Sequence, residues 1–353
     1  MGVMLLGAFV GSSGWYFWAF YRPPNNPIPV REKILTPHDE LFAVHIGESE
    51  RGWVVGKYGL ILHTGDGGRS WTVQKAGTTR TLTSVFFAND QRGFAVGSGG
   101  IILATIDGGL SWNAQNSPTK NHLLSVYAPS QTRAYAVGAF GTILSTSNGG
   151  AMWRKDRLSW ENLIPVLIRQ VGYLEPNLNA VCFVNPEVGW IVGEFGLVLH
   201  TRDGGQTWTL QRHGRDLPEL AAVRFRDEHI GFAVGQQGAV IKTTDGGKSW
   251  VEMKIGTKGL YGIALSGKQG VIVGDGIAWK TEDGGSNWAQ VRSVPPHLWL
   301  GGVALKGKKG AAVGQAGTLL RLDLETETVT PLEQGSREKI RSWFDTLTTN
   351  GMV

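Results

Sequence analysis

The chain repeats itself seven times, and no other feature limits its fold as tightly. An apolar string of the form Leu-x-x-Val/Ile-x-apolar begins at Leu41, Leu82, Leu123, Leu178, Leu220, Leu260 and Leu300, at spacings of 41, 41, 55, 42, 40 and 40 residues. A second string follows each, GWVVG in the first copy and GFAVG in the second. Its last residues are Gly56, Gly97, Gly138, Gly193, Gly235, Gly274 and Gly314. A third apolar string comes next, then a Gly-Gly turn and a tryptophan at Trp71, Trp112, Trp153, Trp208, Trp250 or Trp288. Short runs rich in Val, Ile and aromatics, bounded by turn residues, read as strands. Four per repeat of roughly 40 residues is the pattern of a propeller blade. The expectation is an all-β, seven-bladed β-propeller with four-stranded blades over residues 40–333.

The turn before each tryptophan reads Thr-x-Asp-Gly-Gly-x-Ser/Thr-Trp at 64–71, 105–112, 201–208 and 243–250. It is looser at 281–288, has Asn148 for Asp in the third copy, and is missing from the seventh. Asp and Gly suit a tight turn with positive φ, and a short carboxylate caps nearby backbone N–H groups. Asp66, Asp107, Asp203, Asp245 and Asp283 are therefore expected to be structural. One per blade on the outer rim is too dispersed for catalysis or calcium.

Composition narrows the class. Glycine is 51 of 353 residues and charged residues are 18%. That excludes a long coiled coil and intrinsic disorder. The glycines lack a three-residue period, so collagen is excluded. A single cysteine, Cys182, excludes an internal disulfide or a cysteine metal cluster. The balance of 34 Lys+Arg against 29 Asp+Glu gives a net charge of +5, which is mild, so the placement of basic residues matters more than their sum.

Seven Asp-box (BNR) blades with a G-[FW]-x-V-G second strand and a G-x-[IVL]-[LI]-x-T third strand resemble the photosystem II stability/assembly factor family of propellers, over about residues 40–333. The resemblance implies a non-enzymatic factor on the lumenal or periplasmic side of a membrane, binding reaction-centre subunits through a basic face. Similar propellers of other bacteria imply the alternative of an accessory subunit of an RND/MMPL-type transporter. This sequence has no lipoprotein cysteine after its first segment.

That segment, residues 1–22, reads as a membrane anchor. No charge precedes Arg22, and twenty residues of helix span about 30 Å. Leu5, Leu6 and Phe9 supply the apolar body, and Trp15, Tyr16, Trp18 and Phe20 the interfacial aromatics. A Pro-rich linker, 23–39, follows. Residues 334–353 form a tail with a short amphipathic pattern at Ile340, Trp343, Phe344 and Leu347.

In a propeller the links between strands two and three, and between blades, share one face. On it are expected Lys57, Arg80, Lys120, Arg154, Lys155, Arg157, Arg169, Arg212, Arg215, Lys258 and Arg292, with the aromatics Tyr58, Phe140, Trp160, Phe195 and Trp299. Arginine among exposed aromatics is the composition of an interaction surface; an ordinary solvated rim is the plainer reading. An insertion at 154–176 is unusually apolar for a loop. It suits docking on a partner or a membrane interface, or packing on the propeller's own side.

Asp-boxes also occur in sialidase-like glycosidases, the alternative of another class. Such a site needs an arginine triad and an acid. Near the channel stand Lys57, Tyr58, Tyr127, Tyr135, Glu194 and Asp275, without a triad. No metal motif, phosphate loop or nucleotide fingerprint occurs, and Cys182 sits in an apolar strand. The expectations are no enzyme, no cofactor, no metal, no nucleic acid and no small-molecule substrate, with an integral membrane protein complex as partner.

Overall fold

The computed structural model describes residues 35, 39–164, 175–292, 294–326 and 328–331. Every repeat folds as one antiparallel meander, giving seven four-stranded sheets whose strands follow chain order. In the first blade these are Leu41–Ile46, Gly52–Gly56, Ile61–Thr64 and Thr72–Gln74. The other innermost strands are Leu82–Phe87, Leu123–Tyr127, Leu178–Phe183, Leu220–Phe225, Leu260–Ser266 and Leu300–Lys306. The second strand is buried throughout in blades 1 to 5, and in all but its first residue in blades 6 and 7, because neighbouring sheets cover both its faces. That is why it reads as a continuous apolar run instead of alternating.

The glycine closing each second strand has a steric cause. A Cβ at Gly97, Gly138, Gly235 or Gly314 would stand about 2 Å from the carbonyl oxygen of the residue preceding the inner strand. The same oxygen accepts the next backbone N–H: Ser98 to Thr81 and Gln236 to Glu219, both 2.9 Å. Each inner strand bulges at its second residue to make this approach.

Adjacent blades are joined by aromatics. Trp53 of the first blade stacks on Phe87 of the second, and Trp190 of the fourth on Phe225 of the fifth, with centroids 3.4 Å apart in both pairs. Trp53 Nε1 donates to Gly108 O (3.1 Å), and Tyr135 OH to Gly204 O (2.7 Å). A second-strand aromatic thus reaches beneath the Asp-box of the following blade.

The seventh blade is built wholly from the C-terminal repeat, so the ring closes by packing and not by strand exchange. Leu41, Val54, Leu62 and Trp71 of blade 1 share a buried cluster with Ala311, Val313 and Leu319 of blade 7. Gly317 N–H also donates to Asp39 O at 2.7 Å. No helix among the described residues is long and apolar enough to cross a membrane. The expected anchor at 1–22, most of the expected linker and the tail at 334–353 lie outside the described residues.

Candidate partner-binding face

The links between second and third strands are tight turns closed by a bond from the fourth residue to the first, as from Leu60 N–H to Lys57 O (3.1 Å) and Thr318 N–H to Gln315 O (3.0 Å). In six of the seven blades two successive residues have positive φ, the geometry of a type I′ turn, which matches strand twist and favours Asn or Gly. The second is glycine in blade after blade. The first is Tyr58, Gly99, Phe140, Phe195, Gln237 or Ala316. A bulky side chain at φ near +57° is an outlier, and three of these six positions carry an aromatic ring.

Those rings differ in surroundings. Phe195 is half-buried against the core shared by blades 3 and 4. Tyr58 is 52% exposed and Phe140 60% exposed. Trp160 lies in a single helical turn, Trp160–Leu163, and is buried with Ile164 in that same core. It is not an exposed partner residue: the start of the insertion packs on the propeller itself because Gly141 leaves room for the indole, whose Nε1 would lie 2.4 Å from a Cβ there. Trp299 is half-buried, with an edge contact to Phe42 and a tilted one to Tyr261.

The basic residues do not form one uniform field. Arg154 and Lys155 lie in the outer strand of blade 3 (Arg154–Asp156), opposite Ser145 and Leu144. They are on the flank, not in a face loop, because the strand after Trp153 continues upward through them. Arg154 pairs with Asp156 at 3.1 Å. Lys57 pairs with Glu40 at 2.6 Å, and Arg212 with Glu252, while Arg212 Nη1 also reaches Gly196 O. Glu40 and Glu252 offset charges that the sequence count left standing. Lys120, Arg157, Arg215, Lys258 and Arg292 are exposed and make no ion pair among the described residues. Arg169 falls outside the described residues.

The face is divided by sign. The segments 75–81, 98–101 and 115–122 contain Lys75, Arg80 and Lys120 and no acid. On blades 4 to 6 stand Glu194, Asp216, Glu219 and Asp275. Both Glu194 oxygens accept from Asn177, backbone N–H at 2.9 Å and Nδ2 at 3.0 Å. Glu219 takes a 2.7 Å bond from Asn179 Nδ2. Burial pushes the Glu219 carboxyl up to about 7; the Asn179 bond opposes this and the nearby Glu194 adds to it. Sequence reasoning singled out Glu194 and Asp275 but not Glu219. Its only trace in the sequence is an acid directly before an inner-strand leucine, at the glycine-crowded carbonyl.

The fifth inner-strand residues form a ring in the channel: His45, Phe86, Tyr127, Cys182, Arg224, Ala264 and Ala304. His45 and Phe86 meet edge-on at 4.7 Å, and Phe86 lies 4.1 Å from Tyr127. Burial holds His45 down at about 4, helped by the Arg224 charge. Burial also pushes the Cys182 thiol up to about 11.

On the opposite face each Asp-box carboxylate is engaged by its own turn. Asp107 Oδ1 accepts from Thr105 Oγ1 (2.8 Å) and Ser111 N–H (2.9 Å), and Oδ2 from Ser111 Oγ (2.6 Å). Asp66, Asp203 and Asp245 repeat this, and Asp283 does so with Asn287.

Fold, turns and Asp-boxes together define an Asp-box repeat propeller. A family model described as "Photosynthesis system II assembly factor YCF48" matches residues 70–159, 110–220 and 215–298, more than half of the chain. The chain belongs to that family. Among solved structures it is similar to YCF48 from Cyanidioschyzon merolae, at 22% identity and a TM-score of 0.68, covering 83% of this chain and 98% of that one. It is also similar to a structure described as YCF48 bound to D1 peptide, at 20% identity and a TM-score of 0.64, covering 82% and 93%. The GH74 enzyme of Niastella koreensis shares the fold, at 12% identity and a TM-score of 0.65, covering 84% of this chain and 54% of that one. Among curated protein sequences none matches.

Proposed function

We propose that this chain is a non-enzymatic assembly or accessory factor. On this reading it holds a segment of a membrane-protein subunit on the face of the second-to-third strand turns, and residues 1–22 tether it to the membrane on the lumenal or periplasmic side. The observation that carries the reading is the family match over 70–298. The D1 peptide named with the YCF48 structure makes a reaction-centre subunit the first partner to look for. Exposed cations and aromatics on the same face support it, since Tyr and Arg dominate protein-binding energetics.

The test is purification of the full-length chain from native membranes in mild detergent, followed by mass spectrometry. A membrane-protein subunit should come with it in stoichiometric amount. Recovery of the chain alone, at physiological salt and with the N-terminus removed, would overturn the proposal.

A further inference from the structure

Six of the seven blade-to-blade junctions hold aromatic rings in their apolar clusters. The cluster shared by blades 6 and 7 holds none among the described residues. The deficit has three parts. The second-strand position of Trp53, Phe94, Tyr135, Trp190 and Phe232 is Val271 in blade 6. The third residue after the box tryptophan, Gln74 in blade 1 and Gln211 in blade 4, reaches into the box of the next blade; in blade 6 it is Val291. Blade 7 has no box and no box tryptophan, and Leu322 and Leu324 stand at the end of its third strand instead.

The missing side chains leave space. A cleft of about 500 Å³ opens between the two blades, walled by Val271, Ala278, Val291, Leu322, Leu324 and Val329. Interiors are otherwise packed with few voids larger than a water molecule, and clefts of roughly 300–1,000 Å³ take whole organic ligands, so this one has room for more than one ring. Two charged residues that also line it are engaged already. Lys280 pairs with Glu282 at 3.2 Å, and Asp323 Oδ1 accepts from Glu325 N–H (3.0 Å) and Thr326 N–H (3.3 Å). What the walls lack is apolar contact.

The chain itself leaves from this wall. Thr328 and Val329 line the cleft and belong to the outer strand of blade 7, Thr328–Pro331. Trp343 and Phe344 are the only aromatic residues after that strand, and Trp343 follows Pro331 by 12 residues. An extended tether of that length reaches roughly 40 Å, several times the length of the outer strand, about 13 Å. With Ile340 and Leu347 the two rings recur at the spacing of one helix face. We propose that the C-terminal segment of the same chain seats Trp343 and Phe344 in the cleft and so supplies, from outside the propeller, the rings that blades 6 and 7 lack. The segment is then a strap across the 6–7 junction, and this role is independent of the assembly function proposed above.

The test uses the full-length protein in mild detergent, with the photo-crosslinking residue p-benzoylphenylalanine placed at position 343. After irradiation the monomeric band is digested and mapped by mass spectrometry. Cross-links should fall on residues 289–292 and 322–329. Val271→Phe puts a ring where Phe94 and Phe232 have one, and should displace the segment and abolish those cross-links. Separately, Trp343→Ser with Phe344→Ser changes no residue of the propeller. It should speed amide hydrogen exchange about tenfold or more in Ile277–Thr281 and Leu319–Asp323, which the buried rings protect, and leave Gly93–Gly97 unchanged. Cross-links to other blades overturn the proposal, as do cross-links found only in a covalent dimer, which would seat the segment on a second copy. Cross-links undiminished by Val271→Phe, or exchange in the two cleft strands unaltered by the tail variant, overturn it as well.

Discussion

Glu219 shows how a single residue couples burial to pH. It sits beside Glu194, takes the Asn179 amide, and burial holds its carboxyl near 7. In the unfolded chain a glutamate releases its proton near 4.5. Between those values the folded state keeps a proton that the unfolded state has lost, so folding stability falls as pH rises from about 4.5 to 7. Above that range the buried charge persists as a fixed penalty. Glu219→Gln keeps an acceptor for Asn179 and removes the charge. It should make the protein about 1–3 kcal/mol more stable at pH 8 and change it little at pH 4.5. Urea denaturation of both proteins at the two pH values checks this. The difference between proteins is the quantity to read, because His45 works the other way: it is held near 4, so its contribution is lost as pH falls from 6.5. No gain at pH 8 would mean that Glu219 stays charged and solvated. The sequence shows an acid before Leu220 and no more, because the desolvation comes from a neighbouring blade.

At the scale of elements, the Asp-box is a clamp between blades as much as a turn. Gly108 O, inside the second blade's box, accepts from both Trp53 and Gln74 of the first. Gln211 makes the matching bond to Gly246 O (3.0 Å). Asp107→Ala removes two side-chain acceptor atoms from the box and should cost about 1–2 kcal/mol. Asp107→Asn should cost less, since Asn148 already does this work through Thr146 Oγ1 (3.0 Å) and Met152 N–H (2.9 Å). Melting temperatures of the two variants decide it; equal losses would mean that charge, not hydrogen bonding, holds the turn. These elements were legible in advance because the inner-strand period and the second-strand glycines recur seven times and the tryptophans six, each with a local cause. The face was less legible. Its members are set by pairings between residues far apart in number, such as Lys57 with Glu40 and Arg212 with Glu252. Trp160 looked exposed because its partner cavity, above Gly141, exists only once blades 3 and 4 are side by side.

The whole ring has one junction unlike the other six. Elsewhere consecutive blades are tied by the chain itself, but among the described residues blades 7 and 1 meet through packing, the Gly317–Asp39 bond and a 3.9 Å ion pair between Lys306 and Glu48. Closure therefore rests on noncovalent contact alone. It is maintained by small residues as well as large ones: a Cβ at Gly302 would lie 2.8 Å from Phe42 O of blade 1. Gly302→Val should wedge this junction open. Val313→Ala should loosen it more gently, by about 1–2 kcal/mol, through lost apolar contact with the blade 1 cluster. Stability in repeat arrays follows nearest-neighbour contacts, so weakening one junction exposes the blades at its edges first. Hydrogen exchange should show Gly302→Val lowering protection in the second strands Gly52–Gly56 and Lys309–Gly314 before Gly189–Gly193, on the far side of the ring. Uniform loss across all three would show a ring that opens as one cooperative unit, with the blade 7–1 contact as strong as the chain-linked ones.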